Sequence, residues 1–170
     1  MSELDVIGLG LRRAVKSVTT WASIECEKQR SGERSVAWMV EGWAHAWTLA
    51  SLPDEEGPTS QAIQSIGALV EPRHNSAGEW RTTNVRVGTD LKPPHGDVPS
   101  MMDLLIADWA HTSSDDWYFR FEEIHPFRDG NGRTGNILWN WHRGTLTPHT
   151  LEFPPDFWGQ PRLQYPVTRA

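Results

Sequence analysis

Apolar residues recur along this chain at helical spacing for most of its length and alternate in one short stretch. Val36, Val40, Trp43, Trp47 and Ala50 fall three or four apart, which predicts an amphipathic helix over residues 33–51 that stops before Pro53. The acidic segment from Pro53 to Pro58 is expected to be a loop. Thr59 or Ser60 is placed to cap a second helix, whose Ile63, Ile66, Leu69 and Val70 face inward until Pro72 ends it. After the turn-rich residues 73–79 the pattern changes. Arg81 to Val87 alternates and carries Thr82, Thr83, Val85 and Val87, which suits an extended hairpin arm. Lys92 to Pro99 reads as a loop, and Ser100 with Asp103 as a capping box for a helix burying Met102, Leu105, Ile106 and Trp109. Trp117, Phe121 and Ile124 mark another helix, and Ile137, Leu138 and Trp141 a last one. Residues 144–170, rich in proline and aromatics, are expected to lie extended across the body. The expectation is an all-α domain spanning 1–170, its core at about 33–143, with one small β hairpin.

Composition narrows the function classes. A formal charge of −6 argues against a general nucleic-acid or anionic-membrane binder. Between residues 120 and 143 the balance reverses locally, with Arg120, Arg128, Arg133 and Arg143 against Glu122, Glu123 and Asp129. The single cysteine, Cys26, excludes an internal disulfide and fits a reducing compartment. Glu3 and Asp5 with no long apolar run give no signal peptide or membrane span, so a cytoplasmic location is expected.

The chemistry concentrates in His125-Pro126-Phe127-Arg128-Asp129-Gly130-Asn131-Gly132-Arg133, followed by Thr134-Gly135-Asn136. Backbone N–H groups left open by Gly130 and Gly132 can form an anion-binding concavity, and a helix starting at Arg133 would add its dipole. Arg133 can fork onto phosphate oxygens, Asp129 can hold Mg²⁺, and His125 can take a proton from a hydroxyl. Competing patterns fail. Gly130, Gly132 and Gly135 match a dinucleotide-binding spacing but no hydrophobic strand precedes them. No Lys-Ser or Lys-Thr pair follows for a P-loop, and a calcium loop from Asp129 would place Asn140 where Glu is needed. The other histidines form no His-Glu-x-x-His pair.

The stretch resembles the signature of the Fic (Fic/Doc) family, His-x-Phe-x-Asp/Glu-Gly-Asn-Gly-Arg-x-x-Arg, and matches it from His125 through Arg133. Asn136 stands where the family has its second arginine. Upstream, Arg81 to Gly88 followed by Pro93-Pro94 resembles the family's flap hairpin. The resemblance implies a compact helical fold and transfer of a nucleotide monophosphate, usually AMP from ATP with Mg²⁺, onto a Ser, Thr or Tyr hydroxyl of a protein. It implies His125 as base, Gly130, Asn131, Gly132 and Arg133 around the phosphates with Asn136 at the second-arginine position, Asp129 on the metal, and a flap of Thr83, Asn84, Val85, Arg86 and Val87 that docks the target. Gly132 in place of Lys separates the chain from relatives that act as kinases.

Asn136 leaves three readings open, because Asn supplies neither charge nor a bidentate fork. The protein uses ATP weakly, prefers another phosphate-containing donor, or is a catalytically silent nucleotide- or partner-binding module. A second family feature is an inhibitory Ser/Thr-x-x-x-Glu-Gly/Asn helix. Glu41-Gly42 resembles its end, although Ala37 occupies the Ser/Thr position. Glu41 is therefore the sequence's candidate inhibitory acid, and a separate antitoxin-like partner is the alternative.

Overall fold

The computed structural model describes residues 3–52 and 57–156. Among them lie six α-helices and one two-stranded antiparallel sheet, so the fold is all-α with a small hairpin, as expected. The helices are α1 (Glu3–Lys28), α2 (Arg34–Ala50), α3 (Ser60–Val70), α4 (Val98–Ala107), α5 (Ser114–Ile124) and α6 (Asn131–Arg143). The hairpin pairs β1 (Arg86–Val87) with β2 (Asp90–Leu91). Part of the acidic loop and most of the C-terminal segment lie outside the described residues.

Local chemistry explains most boundaries. Thr59 is the N-cap of α3 and its hydroxyl accepts from Ala62 N–H at 3.1 Å; Ser113 does the same for Asp116 N–H at α5. Gly144, at φ +76°, ends α6 in the left-handed conformation that glycine adopts without Cβ strain. Two boundaries differ from expectation. The helix predicted from Ser100 starts at Val98, with Pro99 in its first turn, so Asp103 caps nothing and instead accepts from Ser60. The hairpin arm is shorter than Arg81 to Val87, because residues 81–85 spend their polar groups on anchoring contacts rather than on a ladder.

α2 lies at the centre, packed on α1, α3 and α6, while α5 packs on α4 and α6. The core unites Met39, Ile63, Ile66, Met102, Leu105, Trp117, Phe121, Phe127, Ile137 and Leu138, all fully buried. Each such side chain contributes roughly 1.5–3 kcal/mol of burial. The core extends beyond 33–143 at both ends. α1 contributes Val18, Trp21, Ala22 and Cys26, and Leu146 closes the other side. Residues 145–156 run without regular structure and are tied down by two indoles, Trp43 Nε1 donating to Leu146 O and Trp21 Nε1 to Glu152 O.

Candidate active site

α5 delivers His125 and stops there. His125 is the C-cap of α5 in a left-handed conformation (φ 51°, ψ 61°), unusual for a residue with a Cβ, and Pro126 prevents the helix from continuing. Arg81 holds the bend. Its buried guanidinium donates to the carbonyls of His125 (2.8 Å), Ile124 (3.3 Å), Thr83 (2.9 Å) and Pro93 (2.6 Å), while its own N–H donates to Pro126 O. One cation thus satisfies the end of α5 and fixes the base of the hairpin against it.

The turn from Phe127 to Gly130 is bracketed by side chains. Asn131 closes it twice, accepting from Phe127 N–H and donating to Phe127 O, both at 2.9 Å. Asn75 Nδ2 donates to Asp129 O at 2.9 Å and to Gly67 O. Phe127 is fully buried against Gly67, where any added Cβ would collide with its ring. Gly130, at φ +78°, begins α6 two residues earlier than the sequence suggested, so Gly132 and Arg133 sit within its first turn. The unsatisfied amides of that turn and the positive end of the α6 dipole therefore meet the cavity between the turn and the hairpin.

That cavity, about 360 Å³, is lined by His125, the Arg128 to Arg133 turn, Tyr118 and Glu122 of α5, Arg86, Val87 and Gly88 of the hairpin, and the end of α1. Lys28, Arg86, Arg128 and Arg133 give it four cations against the carboxyl groups of Glu122, Asp129 and Asp156. Burial, with Lys92 next, pushes His125 down to about 4, outweighing the Glu122 carbonyl, which acts the other way. At neutral pH the imidazole is uncharged, the state a proton acceptor needs. Burial pushes Glu122 up to about 8, against the pull of Lys92. Asp129 is half exposed at the cavity edge, its Oδ1 accepting from Gly130 N–H at 2.6 Å. A single carboxylate at the edge of this cationic cavity could hold Mg²⁺, which keeps water and takes few protein ligands.

Other expected site residues are engaged elsewhere. The Arg133 guanidinium is buried, donating to Val70 O and to Glu71 Oε2, each at 3.0 Å. Glu71 also receives Arg73 in a two-pronged contact. Burial alone would raise its carboxyl, but the arginine hydrogen bonds prevail and hold it at about 2. Glu71, His74 and Asp129 bring ligand atoms together, yet the two guanidinium groups on Glu71 oppose a cation there. Asn136 is fully buried and donates to Glu25 Oε2 at 3.0 Å, accepting in turn from Asn140. Of the expected flap, Arg86 and Val87 reach the cavity, whereas Thr83 O accepts from Arg81, Asn84 Oδ1 from His95 N–H and Val85 O from Lys92 N–H.

Glu41 is exposed on α2, and the acid that contacts residue 136 is Glu25 of α1, fully buried. Glu25 Oε1 also accepts from Gln29 Nε2, and the Gln29 amide lies against Gly132, where an added Cβ would have to push it aside. A signal for this existed in the sequence. Val18, Trp21, Ala22 and Cys26 recur at helical spacing, and Glu25 interrupts that apolar stripe.

Residues 58–142 match the model of the Fic/DOC family. "Protein adenylyltransferase Fic" of Drosophila grimshawi and of Culex quinquefasciatus are each 33% identical over 73 residues, 37% of this chain but only 15% and 14% of theirs. Among solved structures, a Fic family protein from Desulfovibrio desulfuricans G20 superposes with a TM-score of 0.59 at 21% identity, covering 83% of this chain and 51% of that one. Fic-1 (residues 134–508) from C. elegans gives 0.51 at 20%, covering 66% and 38%. This chain spans a small fraction of its curated relatives and about half of the Desulfovibrio structure. With half its length matched by the family model, the His125–Arg133 signature intact and the helical fold shared, the chain belongs to the Fic/DOC family.

Proposed function

We propose that this protein transfers a nucleoside monophosphate, most simply AMP from ATP, to a Ser, Thr or Tyr hydroxyl of a target protein. The observation that carries the reading is a neutral, largely buried His125 facing the same cavity as the positive end of α6. His125 accepts the hydroxyl proton as the oxygen attacks the α-phosphate. The first-turn amides of α6 stabilise the charge that develops there, where losing one donor typically costs about 3–4 kcal/mol. Lys28, Arg86 and Arg128 are the cations available to the outer phosphates, since Arg133 is held by Glu71 and position 136 is neutral. Asp129 would hold Mg²⁺, which supplies charge neutralisation to the phosphates. Arg86 and Val87 would pair with an extended target segment by strand addition.

Glu25 and Gln29 take the inhibitory place foreseen for Glu41, with Gln29 against Gly132 at the mouth of the amide cradle. This intrachain contact supports self-regulation, with a separate antitoxin-like inhibitor as the alternative. A different donor is favoured by one observation: Asn136 faces the Glu25 carboxylate, so no cation awaits a third phosphate there. A cytoplasmic site of action is part of the proposal; no described helix is long and apolar enough to cross a membrane.

The test incubates the protein and its His125→Ala variant with Mg²⁺, a lysate and each NTP labelled at the α-phosphate. A labelled protein band that depends on His125 is expected, and the strongest NTP identifies the donor. Nucleotide binding without any transfer, from folded protein, would instead indicate a silent binding module.

A further inference from the structure

Glu122 has no part in the family motif or in the proposed chemistry so far, yet it is 4% exposed and lies between His125 and α6. Its Oε2 is 3.7 Å from His125 Nδ1. Its Oε1 packs on Gly135, where an added Cβ would come within 3.0 Å of it and 2.9 Å of Tyr118 Cε2. Glu122 Oε1 and His125 Nδ1 make no side-chain hydrogen bond among the described residues, and the Glu122 main-chain carbonyl favours the protonated ring. The carboxyl thus faces the imidazole through Oε2 at a distance longer than a hydrogen bond, and a small rotation of either side chain completes the contact when the site is engaged. Hydrogen bonds of catalytic groups are commonly long before substrate binds.

We propose that Glu122 is the positioning residue for His125, its carboxylate accepting Nδ1–H so that the Nε2 lone pair faces the cavity. The inference rests on His125 acting as the proton acceptor. In the transfer step the hydroxyl O–H bond breaks and Nε2–H forms, while the new O–P bond replaces the bond from the α-phosphorus to pyrophosphate. The Nδ1 proton stays on nitrogen, Glu122 balances the imidazolium, and His125 returns its Nε2 proton to solvent or to the leaving pyrophosphate. A neutral Glu122 carboxyl would do the opposite, donating to Nδ1 and placing the proton on Nε2. Activity is therefore gated by ionisation of Glu122. Lys92 at the hairpin base and Lys28 of α1 favour the carboxylate; Glu25 of α1 and Glu123 of α5 oppose it, and Tyr118 lies one turn away.

The experiment is a ¹⁵N-histidine NMR titration of the full chain from pH 5 to 10, repeated for Glu122→Gln and Glu122→Asp, with transfer rates measured alongside. The expected result is a switch of His125 from the Nε2–H to the Nδ1–H tautomer centred near pH 8, as burial of Glu122 implies. Glu122→Gln should abolish the switch and lower kcat by up to about 10⁴-fold, the loss seen when a catalytic histidine's orienting carboxylate becomes an amide. Glu122→Asp should retain a switch at a shifted pH. A pH-independent Nε2–H form in the wild type, or the same switch in Glu122→Gln, overturns the inference. Should Glu122→Gln fail to fold, the wild type and Glu122→Asp decide. The tautomer reads out without any donor, so absent nucleotidyl transfer sinks the proposed function separately from the positioning role.

Discussion

His125 and Glu122 are displaced in opposite directions from their ordinary values, and Glu71 lies below its own, so together they predict a stability profile. The folded His125 resists protonation between 6.5 and about 4 while the unfolded chain takes the proton, so stability falls as pH drops through that window. Glu122 is raised from 4.5 to about 8; its favourable term is complete below 4.5 and is lost as pH rises to 8. Glu71, lowered to about 2, contributes above 4.5 and loses that contribution on acidification. The first two terms are each on the order of 3–5 kcal/mol and offset one another between about pH 4.5 and 6.5. Thermal melts should show a plateau there, with declines on both sides, and Glu122→Gln should remove the alkaline decline. The buried ion pair gives a second prediction at this scale. Arg133→Ala leaves Glu71 with only the exposed Arg73, and the uncompensated buried charge should cost about 3–5 kcal/mol in urea unfolding. An unchanged midpoint would show that Arg73 alone suffices.

At the scale of elements, the motif turn is held between α3 and α5 by shape as much as by hydrogen bonds. Phe127 fills the space left open at Gly67 of α3 and lies near Phe121 of α5, ring centroids 6.5 Å apart. Gly67→Ala should therefore displace Phe127 and cost about 1–3 kcal/mol by overpacking. Phe127→Ala should cost about 3–5 kcal/mol by leaving a cavity. Both should slow transfer, because the Asn131 bracket closes on the Phe127 backbone. The check is unfolding free energy beside kcat; a destabilised Gly67→Ala protein with full kcat would mean that the turn keeps its geometry without its anchor.

Across the whole molecule, one polar chain, buried at Glu25, Asn136 and Asn140, joins the cavity to the C-terminal segment. It runs from Gln29 through Glu25, Asn136 and Asn140 to Glu152, whose carbonyl also accepts from Trp21. α1 thus belongs both to the core and to the wall of the site. Glu25→Ala should leave the Asn136 amide buried without its acceptor, costing about 1–3 kcal/mol, and release Gln29 from its place on Gly132. Nucleotide affinity, measured by calorimetry with Mg²⁺, should rise even as the melting temperature falls. Unchanged affinity would show that α1 closes the core without guarding the cavity.

The chain's own pattern determined the helical class, the cores of α2, α3, α5 and α6 and the identity of the motif, because those depend on spacing along the chain and on local chemistry. Thr59 caps α3 and Phe127 anchors the turn as their neighbours in sequence imply. Contacts between distant segments were decided elsewhere. Glu25 meets Asn136 across 111 positions and Arg133 meets Glu71 across 62, distances over which no periodicity carries information. Glu41 occupied the right short pattern on a helix whose packing turns it to solvent. Tertiary structure alone brought α1 beside α6 and the end of α3 beside Arg133, and so decided that Glu25 meets Asn136 and that Glu71 holds Arg133.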